Sequence, residues 1–291
     1  MSVEIDICLE KVGLIKNTRN FQCHAGFRRR TCIFLVDALS LFLAMNRKLK
    51  WRLESTGTEI IHDDDDLIVL DKPANLLVIP DLYRHHLPNL QSILLEELGE
   101  IFVIHRIDKE TSGVVLFAKT AAAHAALNER FEGRLVEKMY LGIVVGQPVE
   151  DEGRIDKPLS ESNTPGVMRV DQKSGKESVT EYRVLERFQG YSFLEMRPRT
   201  GRMHQIRVHL KALGAPLLGD RIYGDGKPFY LSSVKASYRS TGEEKPLLDR
   251  TALHAFALSF DHPHTGVRSN HSAGLPKDMR SVLNYLRKFR G

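Results

Sequence analysis

The chain has 291 residues, 42% of them hydrophobic and 27% charged, which is ordinary for a globular protein and enough for one large or two small domains. Lys and Arg outnumber Asp and Glu by 42 to 37, so a formal net charge of +5 favours polyanionic partners only mildly. No apolar run approaches about 18 residues and MSVEIDICLEK lacks the apolar core of a secretory signal, so a membrane span is excluded and a cytoplasmic location is expected.

Residues 1–58 read as a small N-terminal extension. Basic FRRRT at 27–31 precedes an apolar stretch from Cys32 to Met45, in which Leu35, Leu39, Phe42 and Leu43 fall near helical spacing, and basic NRKLKWR follows. The clusters suggest an RNA-contacting segment. Cys8, Cys23 and Cys32 form no even-numbered disulfide framework, and Cys23, His24 and Cys32 lack the paired spacing of a structural zinc site, so no metal is expected.

From Glu59 to the C-terminus the pattern changes to strands and helices in one domain, 59–291. The aspartates of EIIHDDDDLIVLDKP read as a solvated turn before a strand at Leu67–Leu70 that Pro73 ends. Pro88, the spacing of Leu90, Ile93, Leu94 and Leu98, and Gly99 predict a helix with a glycine stop. A strand over 101–107, a tight turn at Thr111-Ser112-Gly113 and a strand at Val114–Ala118 come next. Thr120 caps a helix through Leu127 and Phe131 that Gly133 follows, and a strand is expected at 139–145. Residues 147–178 read as loops with short strands. TEYRVLERF and YSFLEMRP form a hairpin around Gln189-Gly190, Ile206, Leu210 and Leu213 line one side of a helix ended by Gly214, and 224–246 reads as an exposed loop. Met279, Val282, Leu283 and Leu286 have the spacing of a packing helix.

Two segments can carry chemistry. In HRIDKETSG, residues two apart on a strand share a face, so Arg106 and Asp108 reach one cleft while Ile107 faces the core; a strand-end salt bridge would read the same way. TGRMHQIRVHL places His204 and Arg207 three apart at a helix start, able to face Asp108 or RNA phosphates, or simply to cap and solvate the helix. Tyr140, in an apolar strand, reads as a core phenol. No phosphate-binding, dinucleotide or serine-hydrolase motif is present, so these residues alone leave a cofactor-free enzyme and an RNA-binding protein both open.

HRIDKETSG, EKMYLGIVVG, RPRTGRMHQIRVHLKALGAPLLGD, ALHAFALSFDHPHTG and LPKDM, in that order, resemble the RluA-type family of pseudouridine synthases, with Ile107 replacing the family's leucine. The resemblance implies an α+β fold, a mixed and mainly antiparallel sheet in two halves with flanking helices and a central catalytic cleft. It implies isomerisation of uridine to pseudouridine in structured RNA, ribosomal or transfer, with no cofactor and no metal; a monomer is the default expectation. Asp108 matches the family's catalytic aspartate, Tyr140 the tyrosine that stacks on the base and is a candidate for taking the C5 proton, Arg207 the arginine paired with the aspartate, and Arg106 one that fills the space of a flipped nucleotide. Thr111, Arg202, His204 and Gln205 belong to the same motifs and are assigned to support or RNA contact. Residues 1–58 do not show the pattern of the RNA-binding domain that many relatives carry there.

Overall fold

The computed structural model describes residues 47–235, 237–238 and 242–291. The amphipathic stretch at 32–45, FRRRT and the three cysteines lie outside them. The backbone is helical at 49–55, and Leu49 and Leu53 sit in the same core as Ile68 and Leu70, within the compact unit Leu49–Gly291. Of the NRKLKWR cluster, Arg52 binds Glu96 at 2.6 Å and Glu97 at 2.7 Å rather than standing free for RNA.

A ten-stranded sheet runs through the domain. Its strands are β1 (Glu59–Asp63), β2 (Leu67–Lys72), β3 (Phe102–Val103), β4 (Ser112–Ala118), β5 (Glu137–Val145), β6 (Glu152–Asp156), β9 (Val179–Phe188), β10 (Tyr191–Pro198), β11 (Leu253–Asp261) and β12 (Arg268–Ser272), while β7 (Leu159–Glu161) and β8 (Met168–Val170) form a separate pair. The order is β1-β2-β4-β11-β5-β10-β9-β6, with β12 on β11 and β3 on β4. β4 and β11 run parallel; the remaining registered pairs are antiparallel. This is the expected α+β architecture. β2 and β4 are apolar at every turn of the alternation because both faces are covered: Ile68, Leu70, Val115 and Phe117 pack on one side, Leu67, Val69, Val114 and Leu116 on the other.

The helices follow their local signals. α1 (Leu90–Leu98) is capped by the Asn89 side chain accepting from Ser92 N–H and ends at Gly99 with φ 78°. In α2 (Ala121–Glu132) Thr120 is the expected cap, but the left-handed residue beyond the end is Arg134, φ 58°, and not Gly133. α3 (Gln205–Ala212) is followed by Gly214 at φ 82°, and α4 (Lys277–Phe289) buries Met279, Val282, Leu283 and Leu286 as the spacing requires. Asp64 Oδ1 accepts the N–H groups of Asp66 and Leu67, each at 2.9 Å, which makes the aspartate run a turn.

Three expectations need correction. The strand expected over 101–107 stops at Val103, because the ring Nε2 of His105 accepts the N–H of Leu116 at 3.1 Å and replaces the next ladder bond with a side chain. Ser112 and Gly113, read as a turn, are the first residues of β4 and pair with His254 and Ala255. The loop over 224–246 is not simply exposed: Phe229 and Val234 are buried in the core beneath α4, and Phe229 bridges to Leu248. Their two apolar side chains outweigh a glycine- and serine-rich composition.

Gly113 lies where β4 meets β11, at φ 112°, and a Cβ there would run into the backbone carbonyl of Ala255. Both strain and clash act on Gly113→Ala, which should destabilise the domain by about 3 kcal/mol, read as a lower urea midpoint with an unchanged m value.

Candidate active site

Beyond His105 the backbone keeps the alternation of a strand without its hydrogen bonds. Arg106 is exposed, Ile107 is buried, and Asp108 is about a quarter exposed at its side chain, so the shared-face expectation for Arg106 and Asp108 is met by irregular backbone. The N–H of Thr111 closes the turn on the Asp108 carbonyl at 3.1 Å, and the Thr111 side chain is buried. A cleft of about 600 Å³ opens above Asp108. Its walls include Arg106, Tyr140, Lys138 and the segment from Pro198 to Arg207.

The floor of this cleft is a chain of charges. Arg207, on the first turn of α3, donates Nη1–H to Asp108 Oδ2 at 3.1 Å and two further hydrogen bonds, Nε to Oδ2 and Nη2 to Oδ1, each 2.8 Å, to Asp220. Asp220 is wholly buried and also accepts the N–H groups of Ile222 and Tyr223. Burial alone would pull the Arg207 pKa down, but the bonds and charge of Asp220, then those of Asp108, hold it above its ordinary value. Arg207 also holds Asp220 below the usual carboxylate range against the effect of burial.

His204 takes the left-handed φ of 53° at the N-cap of α3, with Nε2 3.8 Å from Asp108 Oδ2 and Nδ1 2.9 Å from the Tyr223 hydroxyl. Burial lowers its pKa below the ordinary value, helped by the cations Arg207 and Arg106 and opposed by the charges of Asp108 and Asp220. Tyr140 lies on β5 and packs on the core with Ile107. Burial, then the charge of Asp108, push its phenol well above the ordinary value, so it stays protonated.

The other residues named from sequence divide in two. Arg202 is exposed on the cleft rim, its Nε reaching the carbonyl of Glu177 at 3.3 Å. Gln205 is buried, with Oε1 accepting from the Thr200 hydroxyl and the Arg202 N–H and Nε2 donating to the Val179 carbonyl and the Thr180 hydroxyl. All four of its hydrogen bonds are internal, so it ties α3 to β9 and has none left for RNA.

Sequence reasoning missed Asp220, Tyr223 and Lys72. Lys72, fully buried at the end of β2, donates to the carbonyls of Pro73 and Leu76 at 2.8 Å and of Lys109 at 3.1 Å, fastening the turn after Asp108 to the segment after β2. The signal was present in LDKP and LLGD, where a charged residue ends an apolar run, but burial is not visible in a sequence.

An RNA pseudouridylate synthase family model matches residues 66–212, the stretch that contains Asp108, Tyr140 and Arg207. The chain is 34% identical to the ribosomal large subunit pseudouridine synthase D of Pseudomonas aeruginosa over 96% of its own length and 87% of the relative's. It is also 34% identical to the uncharacterized RNA pseudouridine synthase YlyB of Bacillus subtilis over 81% of this chain and 75% of that one. Among solved structures, human RNA pseudouridylate synthase domain containing 4 superimposes with a TM-score of 0.63 at 27% identity, covering 84% of this chain and 98% of the other. The chain belongs to the RNA pseudouridylate synthase family. It is an RNA pseudouridine synthase, an isomerase that converts uridine to pseudouridine in RNA. Among the described residues, no helix is long and apolar enough to cross a membrane.

Burial, then the charge of Arg250, lowers the Lys72 pKa from its ordinary 10.5 to about 7, against the upward pull of Asp108 and Asp71. Between those two values the unfolded chain binds the extra proton, so this residue makes stability rise with pH from about 7 to about 10. Lys72→Met should flatten that rise and, by leaving three carbonyls without a donor, lower stability at either end of the window, both measurable as urea midpoints at pH 7 and pH 9.

Proposed function

We propose that Asp108 is the catalytic carboxylate of this isomerase, acting on a uridine that leaves its stack to enter the cleft. The observation that carries this reading is the Asp108–Arg207–Asp220 chain at the cleft floor: it orients one carboxylate, partly open to solvent, from a wholly buried support. The cleft volume suits a single small group rather than a base-paired stem, so the target nucleotide turns out of its helix at a cost of a few kcal/mol. Tyr140 offsets part of that cost by stacking on the base, and the exposed Arg106 fills the vacated space.

The net reaction breaks the bond from N1 to C1′, forms one from C5 to C1′, and moves a proton from C5 to N1. Asp108 serves the first event as nucleophile. Tyr140 suits stacking better than proton removal, since its phenol is held protonated by burial and by Asp108. Arg202, Arg106 and the Arg134 side of the cleft rim give the cationic border an RNA backbone needs. Large-subunit ribosomal RNA is the proposed substrate, because relatives with 34% and 36% identity carry that substrate in their names. The retention of Arg106, Asp108, Tyr140 and Arg207 speaks against an RNA-binding protein on an inactive scaffold.

Asp108→Asn keeps the shape and the hydrogen-bond acceptor for Arg207 but removes the charge. It should reduce pseudouridine formation in a large-subunit ribosomal RNA transcript to background while RNA affinity stays near that of the wild type. Turnover by this variant would sink the assignment, and pseudouridine mapping across total RNA with and without the protein identifies the substrate.

A further inference from the structure

The two oxygens of Asp108 have different surroundings. Oδ2 accepts Arg207 Nη1–H at 3.1 Å and faces His204 Nε2 at 3.8 Å, beyond hydrogen-bond length but close enough for the polarity of that nitrogen to matter. Among the described residues no hydrogen bond is made to Oδ1.

What His204 presents to Oδ2 depends on which ring nitrogen carries the proton. Its Nδ1 lies 2.9 Å from the Tyr223 hydroxyl oxygen, and that oxygen accepts the Met168 N–H at 2.8 Å. With Met168 supplying a donor, the phenolic O–H is free to donate to Nδ1, which leaves the ring proton on Nε2. Tyr223 has little room to turn away. It is 5% exposed, its ring centre lies 5.1 Å from the Arg207 guanidinium carbon, and its N–H is held by Asp220 at 3.0 Å. The His204 ring meets the Tyr223 ring edge-on at 5.6 Å, and its left-handed backbone is a conformation that persists only where the surroundings impose it.

We propose that Tyr223 is a positioning residue for the isomerisation: by donating to His204 Nδ1 it keeps Nε2–H turned on Asp108 Oδ2, so that Oδ1 is the oxygen presented to the uridine. This rests on the reading of Asp108 as the catalytic carboxylate. The opposite tautomer would set a nitrogen lone pair against Oδ2 and turn the carboxylate away from its working orientation. Tyr223 and Asp220 thereby act together from one short segment: Asp220 aims Arg207, and Tyr223 sets the ring beside it.

The test reads the tautomer directly. Two-bond 1H–15N spectra of the full-length 15N-labelled protein, with the His204 signals assigned by their loss in His204→Gln, should show the Nε2–H form; the Nδ1–H form in the wild type overturns the proposal. Tyr223→Phe should shift His204 towards Nδ1–H and lower kcat on a large-subunit ribosomal RNA transcript by about tenfold with KM unchanged. In a His204→Gln background, where no tautomer remains to be set, the same change should cost little more. An equal loss in both backgrounds, or a loss confined to KM, overturns the proposal. Should Tyr223→Phe fail to fold, the wild-type spectrum still decides. The tautomer is read without substrate, so a wrong tautomer sinks this proposal alone, whereas a wild-type protein that forms no pseudouridine sinks the functional reading beneath it.

Discussion

One buried guanidinium organises the site. Arg207 is almost fully enclosed and carries a charge that must be met inside the protein, and it is met by two carboxylates of different kinds. Asp220 has no exposure and takes two of its hydrogen bonds; Asp108, partly open, takes the third. A pair as buried as Arg207 and Asp220 returns little net stability, because desolvating both ions cancels most of their attraction. Its value lies in direction. With Asp220 fixed by the backbone N–H groups of Ile222 and Tyr223, the third donor of Arg207 has one place to point.

That constraint explains several features around the cleft. The residues on the side away from solvent are saturated: Gln205 spends its whole amide on Thr200, Arg202 and β9, and Lys72 spends three donors on carbonyls from two separate segments. Those on the open side keep their polar groups available, as Arg106 does. The boundary between saturated and available groups passes through Asp108. The groups on the protein side are already hydrogen-bonded in place, so a reaction at Asp108 would need little reorganisation there.

Legibility in the sequence followed the range of the forces involved. α4 and α1 were readable because apolar spacing, caps and glycine stops act within a few residues. The Asp108 segment was harder: alternation put Arg106 and Asp108 on one side, but that His105 would end the strand by capturing Leu116 depends on a neighbour across the sheet. Asp108, Arg207 and Tyr140, which share one cleft, were singled out through motif resemblance, and spacing alone left a salt bridge equally plausible. Lys72 and Asp220 were not found, since a charge at the end of an apolar run looks the same whether solvent or backbone receives it. Gln205 was read as a possible RNA contact for the same reason, its company of arginines being visible and its burial not.

The parallel contact between β4 and β11 has a consequence for how the protein comes into being. Ser112 and Gly113, four and five positions past Asp108, pair with His254 and Ala255, and the Ser112 hydroxyl meets the His254 ring at 3.0 Å. Until Leu253–Asp261 has been made, the Ser112–Gly113 end of β4 has a free edge on that side. Contacts so distant in sequence form slowly, because the loop between them must be closed before they repay its entropy. The carboxylate segment is made before the strand that steadies it, so the turn after Asp108 gains this support only once β11 has docked.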